Sequence, residues 1–409
     1  MMPSNQLKTK KILVAMSGGV DSSVAAALLK KQGYLVEGAY MKNFSPESWK
    51  GVLQADCPWE KDVKDAKAVC KKLGIPFRSF NFEKEYKKSV IDYFFREYKT
   101  GRTPNPDIMC NKEIKFGLFL EKALKLGFDF VATGHYAKIQ TTSLPSSPHH
   151  LGRGVSLSRR WRGTKGEVEY QLLKGADPKK DQSYFLYALN QTQLSHTLFP
   201  IGGYTKVEVR KLAKKFGLQN WDKKDSQGIC FVGHVNLREF LKQRLPEREG
   251  EIVDTTGNVL GHHRGAWYYT IGQRHGLGIG GGSPYYVAEK NVKHNQIIVA
   301  EGRYNRLVYY TRAKVKKLHW INETPSYPLS CKAKIRYQQT DQICTISSKP
   351  SLRVLAKQSQ RDRHVPTRVG TRDDRELIVS FYKPQFAVAP GQAIVFYKGS
   401  QVLGGAIIA

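Results

Sequence analysis

Apolar runs and helical repeats alternate along the N-terminal half of the chain. Each of several helical repeats ends close to a glycine, as at Gly33, Gly74 and Gly127, where helices commonly stop. The apolar runs predicted to be strands are residues 11–16, 34–41, 76–82 and 128–133, and the predicted helices are residues 20–32, 60–73, 83–98 and 114–126. This alternation predicts a parallel sheet with helices on both faces.

The pattern changes after residue 140. Residues 141–166 are rich in Pro, Ser, Gly and Arg and are predicted to form a mobile basic loop, and residues 349–375 form a second Arg-rich insert. The other predicted segments are a strand at 168–173, helices at 181–189 and 206–216, strand-like residues at 251–269, a glycine-rich loop at 276–282, and short alternating runs at 296–300, 330–336, 343–347, 377–382 and 393–397. Short alternating runs predict a small antiparallel barrel.

Composition adds a strong charge asymmetry. The 409 residues include 66 Lys and Arg against 35 Asp and Glu, a formal net charge of +31. This surplus favours a polyanionic partner such as a nucleic acid, although a basic chain can also be basic only for solubility. The sequence has no apolar run of about 18 residues. Its polar start at residues 1–11 does not resemble a signal peptide, so we expect a cytoplasmic protein that does not bind a membrane.

A short polar loop between the first strand and the first helix is the sharpest local motif. It reads Ser17, Gly18, Gly19, Val20, Asp21, Ser22 and Ser23. Glycines let the backbone approach an anion, and the free amides and dipole of a helix N-terminus favour phosphate. The loop is neither a Walker A motif nor a dinucleotide fingerprint. A bare strand-to-helix turn is the alternative, but the whole motif indicates a phosphate site.

The carboxyl ends of neighbouring parallel strands should supply further ligand contacts. Residues 132–136 follow the strand at 128–131 and include Gly134, and Met41 ends the second strand, where an adenine could pack. For Met41, core packing is the alternative that the pattern alone prefers.

Two of the six cysteines lie in polar loops. Cys110 follows a proline-stiffened segment and precedes a predicted helix, beside Lys112 and Lys115, so its pKa is expected to be lowered and its thiolate favoured. Asp107 lies three residues earlier and is a candidate acid or base. Cys230 lies in a second basic, glycine-containing loop. One such cysteine can carry sulfur as a persulfide and the other can resolve it as a disulfide, although either can also be a structural cysteine.

The other cysteines are weaker candidates. Cys70, Cys331 and Cys344 lie in helix-like or strand-like runs and are interpreted as packing residues, whereas Cys57 lies in a loop and stays ambiguous. No C-x-x-C pair or zinc-finger spacing is present, so we expect neither a structural zinc nor another protein-bound metal site.

Taken together, the motifs resemble those of the tRNA-specific 2-thiouridylase family, within the ATP pyrophosphatase superfamily. The matching segments are residues 16–23, 41–43, 101–116, 132–136, 180–187, 224–231, 270–280, 336–341 and 390–392. They follow the family's order across nearly the whole chain. The resemblance implies a Rossmann-like ATP pyrophosphatase domain at residues 1–228, a small central β-rich domain at 229–288 and a C-terminal antiparallel β-barrel at 289–409.

The resemblance also implies roles for individual residues. It makes Cys110 the nucleophile, Cys230 the persulfide carrier and Asp107 the acid or base. The implied ATP contacts are Ala15, Met16, Ser17, Gly18, Gly19, Val20, Asp21, Ser22, Met41 and Gly134, with Mg²⁺ accompanying the nucleotide. The implied tRNA contacts are Asn105, Pro106 and Asp107 on the target base and His135, Lys180, Asp181, Gln182, Arg336, Tyr337 and Gln392 elsewhere.

The implied reaction adenylates the wobble uridine in the anticodon loop of a tRNA and replaces its C2 oxygen with sulfur from a persulfide donor, such as a cysteine desulfurase or a sulfur-relay protein. The sequence does not identify that donor, the tRNAs, the oligomeric state, or whether sulfur moves as persulfide or as free sulfide. Two alternatives stay open: an amidotransferase that adenylates a carboxylate, and a non-catalytic RNA-binding protein.

Overall fold

The structure is a computed structural model that describes residues 9–45, 59–143, 168–224, 236–280, 282–349 and 376–409. Its strands are β1 Lys11–Ala15, β2 Leu35–Lys42, β3 Phe77–Asn81, β4 Phe130–Ala132, β5 Ala137–Ser143, β6 Val168–Lys174, β7 Thr197–Leu198, β8 Gly250–Val253, β9 Val259–His263, β10 Tyr285–Asn291, β11 Gln296–Glu301, β12 Tyr309–Trp320, β13 Leu329–Lys334, β14 Gln342–Lys349, β15 Glu376–Phe386, β16 Ala393–Lys398 and β17 Gln401–Ile408.

The helices include two that contain π-helical stretches. They are α1 Val20–Lys31; α2 Trp59–Leu73; α3, which joins Glu83–Tyr86, the π-helical Lys87–Ile91 and Asp92–Lys99; α4, which joins Pro106–Met109, the π-helical Cys110–Leu118 and Phe119–Lys125; α5 Gln191–Ser195; α6 Lys206–Lys215; and α7 Leu237–Lys242. Short 3-10 turns lie at Ser183–Leu186, Ala266–Tyr268 and Arg306–Val308.

The N-terminal sheet is parallel, with the strand order β3-β2-β1-β4-β7. Its central strand β1 is buried on both faces. Leu13 and Ala15 belong to the large core that includes α3 and α4, whereas Ile12 and Val14 belong to the core that includes α1. Because the strands are parallel, the carboxyl ends of β1, β2 and β4 meet at one edge, where ligands bind in folds of this kind.

The rest of the chain builds two further sheets. The central sheet has the order β10-β11-β8-β9. The C-terminal sheet runs β12-β15-β14-β13-β16-β17 and closes into a barrel because β12 also pairs with β17. The hairpin β5–β6, which comes from the N-terminal part of the sequence, extends this sheet through the pairing of β6 with β17. The α/β fold with a small central β domain and an antiparallel barrel is therefore confirmed.

Two predicted helices differ from the structure. The helix predicted at 114–126 begins at Pro106, because Asn105 caps it by accepting hydrogen bonds from the amides of Asp107 and Ile108. The helix predicted at 181–189 is only the turn Ser183–Leu186, since the Asp181 carboxylate accepts bonds from the Gly175 and Ser183 amides and supports a turn instead.

Several expectations fall outside the described residues or stay predictions. The inserts predicted at 141–166 and 349–375 lie almost wholly outside the described residues, as do Cys57 and Cys230. The domain division into 1–228, 229–288 and 289–409 stays a prediction. Strand β10 crosses the predicted boundary between residues 288 and 289. Within the described ranges, no helix is long and apolar enough to cross a membrane.

Candidate active site

The loop that joins β1 to α1 needs its glycines. Gly18 has φ +72°, and a Cβ at this position would lie 2.5 Å from the Asp62 carbonyl oxygen. Gly19 precedes α1 in an extended conformation and caps the helix with no side chain. The first amides of α1 therefore face the loop and can bind an anion.

The serines of the loop shape it from inside. Ser22 and Ser23 are buried, and both hydroxyls donate to the Gly19 carbonyl, at 3.1 Å and 2.9 Å. The Ser22 hydroxyl also accepts a bond of 3.2 Å from the Ser17 amide. In this structure the hydroxyls of Ser22 and Ser23 therefore hold the loop backbone.

Asp21, in the first turn of α1, is the best-connected polar group of the site. The Tyr136 hydroxyl donates to its carboxylate at 2.8 Å, and the Lys206 ammonium donates to both carboxylate oxygens at 2.8 Å and 2.9 Å. Gly134 lies so close that a Cβ there would be 2.6 Å from the Ser22 amide nitrogen. The loop after β4 thus closes on the start of α1, as the motifs predict.

A second lysine covers the other side of the loop. The Lys223 ammonium donates to Asp62 at 2.8 Å and Asp65 at 2.6 Å, and it lies 3.3 Å from the Gly18 carbonyl oxygen. Burial alone would lower the pKa of Lys223, but its bonds to the two carboxylates outweigh burial and raise the pKa. Asn220 also donates to the Gly18 carbonyl, at 3.0 Å.

Sequence reasoning missed Lys206 and Lys223. Lys206 is the first residue of α6, whose N-terminus is fixed by a capping box between Thr205 and Glu208. That Thr-x-x-Glu pattern is visible in the sequence and marks the start of the helix. Nothing in it shows that the helix begins next to Asp21, which is 185 positions away from Lys206.

Cys110 lies inside α4 rather than before it. Its side chain is fully buried, in the same core as Ala15 and Met41. The field of the helix dipole is strongest in the first turn of a helix. Because this helix starts at Pro106, Cys110 lies beyond that turn. The expectation that a helix begins just after Cys110 is therefore wrong, and a nucleobase can reach this thiol only after the segment moves.

The helix around Cys110 has features that ease such a movement. It is π-helical from Cys110 to Leu118, a geometry often found at functional sites. Asn111 is buried and donates to the Phe185 carbonyl at 3.1 Å, but its own side-chain oxygen has no partner among the described residues. A buried acceptor without a partner destabilises the observed arrangement.

The loop before Asn105 is held by all three parts of the fold. A Cβ at Gly101 would lie 2.4 Å from the side chain of Val292, in the turn between β10 and β11. Thr103 shares a 3.1 Å hydroxyl contact with Thr270, and its carbonyl accepts a 2.8 Å bond from the Gln392 side chain. We call this set of contacts around Thr103 the clamp.

Comparison with known proteins identifies the family. A family model described as the tRNA methyl transferase HUP domain matches residues 10–234, one described as the tRNA methyl transferase PRC-barrel domain matches 238–301, and one described as the aminomethyltransferase beta-barrel domain matches 311–362 and 348–408. The tRNA-specific 2-thiouridylase MnmA of Geobacillus thermodenitrificans is 44% identical over 400 residues, which is 97% of this chain and 94% of the relative. The chain belongs to the tRNA-specific 2-thiouridylase family.

A further relative in the 2-thiouridylase family agrees over the same length. The MnmA of Buchnera aphidicola from Acyrthosiphon pisum is 45% identical over 408 residues, covering 98% of this chain and 97% of the relative. This similarity spans all three domains.

The 2-thiouridylase motifs predicted to touch RNA form one row of contacts that starts at the nucleotide loop. Tyr136, whose hydroxyl donates to Asp21, also donates through its backbone amide to the Gln182 side-chain oxygen at 3.0 Å. The neighbouring Lys180 carbonyl accepts a bond of 3.3 Å from the Tyr337 hydroxyl, and the Tyr337 ring lies 4.5 Å from that of Phe185. Segments far apart in the sequence thus meet at the junction of the first domain and the barrel.

The members of this row differ in accessibility. Arg336 is exposed as a residue, but its guanidinium donates to the Ala387 carbonyl at 2.8 Å and burial lowers its pKa. His135 and Asp181 are buried. Burial, with the nearby charge of Lys115, holds the pKa of His135 well below its usual value. The Gln392 side chain donates to the Thr103 carbonyl in the clamp, and its direct contact with RNA stays a prediction.

A basic cavity of about 580 Å³ opens between α3, α4 and the barrel. Asn105 and Met109 line it from α4 and its cap, but Cys110 does not. Its charged lining residues are Lys88, Arg96, Lys112, Glu113 and Lys317. The cavity is therefore cationic, and Asn105, one of the three residues predicted to meet the target base, lines it.

Proposed function

We propose that this chain is a tRNA 2-thiouridine synthase. It adenylates the C2 oxygen of the wobble uridine with ATP, releases pyrophosphate, and replaces the activated oxygen with sulfur from a cysteine persulfide as AMP leaves. The observation that carries the proposal is the glycine loop of β1 and α1, joined through Tyr136 and Gln182 to the segment that faces the barrel. The full-length similarity to relatives named tRNA-specific 2-thiouridylase supports the same activity.

ATP fits the loop by its chemistry. The first amides of α1 and the nearby ammonium groups of Lys206 and Lys223 are donors for phosphate oxygens. Ala15 to Ser22, Met41 and Gly134 would surround the nucleotide, and the Asp21 carboxylate is the oxygen ligand for Mg²⁺ in this proposal. Both ATP use and the accompanying magnesium belong to the proposal.

The sulfur step assigns separate roles to the two cysteines. The outer sulfur of a persulfide on Cys230 attacks C2 of the adenylated base, and AMP leaves. The Cys110 thiolate then attacks the Cys230 sulfur of that disulfide link, which leaves the thiolated base and a Cys110–Cys230 disulfide. In the alternative route, Cys110 attacks the persulfide first and releases sulfide, which then attacks C2. Asp107 moves the proton in either route.

Cys230 lies outside the described residues, but covalent geometry limits its distance from the loop. Lys223 contacts the Gly18 carbonyl. The link from Lys223 to Cys230 spans at most about 25 Å when fully extended. This limit is compatible with the sulfur-carrying role proposed for Cys230.

The remaining parts of the proposal concern partners and place. A tRNA anticodon loop binds across Asn105, Pro106, Asp107 and the row from His135 to Tyr337, with its wobble base out of the stack. A persulfide-carrying protein, such as a cysteine desulfurase or a sulfur-relay protein, loads Cys230. We place the reaction in the cytoplasm, and we keep the domain division 1–228, 229–288 and 289–409.

The test is mass analysis of nucleosides from tRNA incubated with the protein, ATP, Mg²⁺ and a persulfide donor. We expect 2-thiouridine at the wobble position and AMP release that needs tRNA. Cys110→Ser and Cys230→Ser should each abolish thiolation, while Cys70→Ala, in the helix α2 core, keeps it. AMP release driven by a small carboxylic acid instead of tRNA would favour the amidotransferase alternative, and no turnover would favour a non-catalytic RNA-binding protein.

A further inference from the structure

Two cysteines that the proposed reaction does not use face each other in the barrel. Cys331 on β13 is the register partner of Cys344 on β14. Their sulfur atoms are 3.7 Å apart. The other two cysteines in the described ranges, Cys70 and Cys110, are buried in different cores. The sequence predicts only a packing role for Cys331 and Cys344, but the structure also places their two sulfur atoms next to each other.

The geometry of the pair is compatible with a covalent bond. Residues directly opposite on antiparallel strands carry their Cβ atoms on the same face, about 4.5–5.5 Å apart. A disulfide needs a Cβ separation of about 3.5–4.5 Å and a sulfur–sulfur distance of about 2.05 Å. A small rotation of the two side chains, with a slight approach of the strands, closes the remaining gap.

The two thiols are not equivalent. Cys331 is partly exposed, whereas Cys344 is only 2% exposed and packs in the barrel core with Ile346. The hydrogen bond with Cys331 and then burial raise the pKa of Cys344. Cys344 therefore keeps its proton and can donate it towards the Cys331 sulfur, so that Cys331 is the accessible nucleophile and Cys344 the resolving thiol.

We propose that Cys331 and Cys344 form a second reactive dithiol, which captures electrophilic divalent sulfur and closes to a disulfide. With a small-molecule disulfide RSSR, the Cys331 thiolate attacks one sulfur and expels RS⁻. Cys344 then gives up its proton, and its thiolate attacks the Cys331 sulfur and expels the second RS⁻, which leaves as RSH with that proton. With a persulfide RSSH, Cys331 takes the outer sulfur and releases RSH, and Cys344 then expels that sulfur as H₂S.

Closure has a structural consequence because of what lies between the two cysteines. The hairpin of β13 and β14 carries Arg336 and Tyr337, which are predicted to contact tRNA. A bond between Cys331 and Cys344 ties the base of this hairpin and limits its motion. The chemistry of the dithiol is independent of the proposed function, whereas an effect on tRNA binding rests on it.

The experiment uses the reduced full-length protein in two arms. One arm contains oxidised glutathione and the other cysteine persulfide. After free thiols are blocked with N-ethylmaleimide, non-reducing digestion and mass analysis measure the Cys331–Cys344 cross-link. We expect the cross-link in both arms, without retained glutathione. In Cys344→Ala, which keeps the core apolar, Cys331 should retain glutathione in the first arm and one extra sulfur atom in the second.

Two results would overturn the proposal. One is that both cysteines stay free to react with N-ethylmaleimide in both arms. The other is that the wild-type protein retains glutathione on Cys331 while Cys344 stays reduced. A cross-link in only one arm identifies which sulfur source the dithiol accepts.

A thermal measurement provides the second readout. Oxidation should raise the unfolding midpoint of the wild-type protein by several degrees, on the order of 5 °C, and should leave Cys331→Ser unchanged. An equal shift in both proteins would show that the bond does not constrain the hairpin. These outcomes do not require tRNA, so their failure is distinct from a failure to thiolate.

Discussion

At the residue scale, the Asp21 carboxylate of the candidate site depends on the charged and polar side chains that contact it. Asp21 is held between Tyr136 and Lys206, and the Lys206 side chain is only 12% exposed. A half-buried carboxylate without its cation is costly, because the charge loses solvation without compensation. Lys206 is therefore needed to keep Asp21 in position, and in the proposed function it also offers a donor to phosphate.

The first prediction concerns Lys206→Ala. Loss of the charge-assisted contact with Asp21, which contributes about 1.5–3 kcal/mol in total, should reduce the kcat/KM for ATP by about 10- to 100-fold. The measurement is tRNA-dependent AMP release against ATP concentration. Lys214→Ala, an exposed lysine on the same helix, is the matched control. Equal kinetics in the two variants would remove Lys206 from the nucleotide site.

The second prediction concerns His135, whose pKa in the folded protein is lowered well below its usual value by burial and by the charge of Lys115. Its pKa returns to about 6.5 on unfolding, so below that pH the unfolded chain binds the extra proton. Folded-state stability should therefore fall as the pH drops from 6.5, by up to about 1.4 kcal/mol per pH unit. The dependence is absent well above pH 6.5.

His135→Gln should flatten this dependence, measured as the unfolding midpoint between pH 7.5 and 5.0. The flattening is partial, because burial also lowers the pKa of His263 and His319. The exposed His294→Gln is the control. A slope identical to that of the wild-type protein in His135→Gln would mean that His135 is not titrating between the two states.

At the element scale, strands and helices with a strong apolar repeat could be predicted closely from the sequence. The prediction of residues 20–32 matches α1 at Val20–Lys31, and the prediction of 60–73 matches α2 at Trp59–Leu73. The start of α4 was missed because a single Asn105 cap decides it. The extension of the barrel sheet by the β5–β6 hairpin was not predicted, because only tertiary pairing joins this hairpin to β17.

In the candidate site, too, features set by the local sequence could be predicted, and features set by tertiary contacts could not. The glycine loop could be predicted because its function requires a local backbone shape. Lys206, Lys223 and the clamp could not, since each is defined by a contact between positions more than a hundred residues apart. The burial of Cys110 was missed because its loop-like sequence hides the helix that encloses it.

The third prediction tests whether the clamp positions the loop before Asn105. Removing one bond to Thr103, through Gln392→Ala or Thr270→Val, should lower the single-turnover thiolation rate about fivefold, as about 1 kcal/mol of lost hydrogen bonding implies. ATP binding should not change. If Gln392 instead acts by contacting RNA, Gln392→Ala should weaken tRNA binding while Thr270→Val has no effect. The paired variants therefore separate the two roles.

At the scale of the whole molecule, the charge of +31 and the cationic cavity between α3, α4 and the barrel favour the same polyanionic partner. Lys112 and Lys317 enter this cavity from opposite sides, from α4 and from the irregular part of β12. A phosphate bound between them would link the two domains. Binding of this kind releases counterions, so the affinity depends strongly on salt.

The last prediction is that Lys112→Ala and Lys317→Ala weaken tRNA binding and also its dependence on salt. Each lost phosphate contact lowers the slope of log Kd against log salt by about 0.7 to 0.9. The double variant should therefore lose about 1.4 to 1.8 in slope if both lysines meet phosphates. Lys125→Ala, on the same helix but exposed and paired with Glu121, controls for net charge. If Lys125→Ala changed the slope as much as Lys112→Ala and Lys317→Ala, the general charge of the protein would attract the RNA and the cavity would have no special role. A larger change in the two cavity variants than in Lys125→Ala would place RNA phosphates at the junction between the first domain and the barrel.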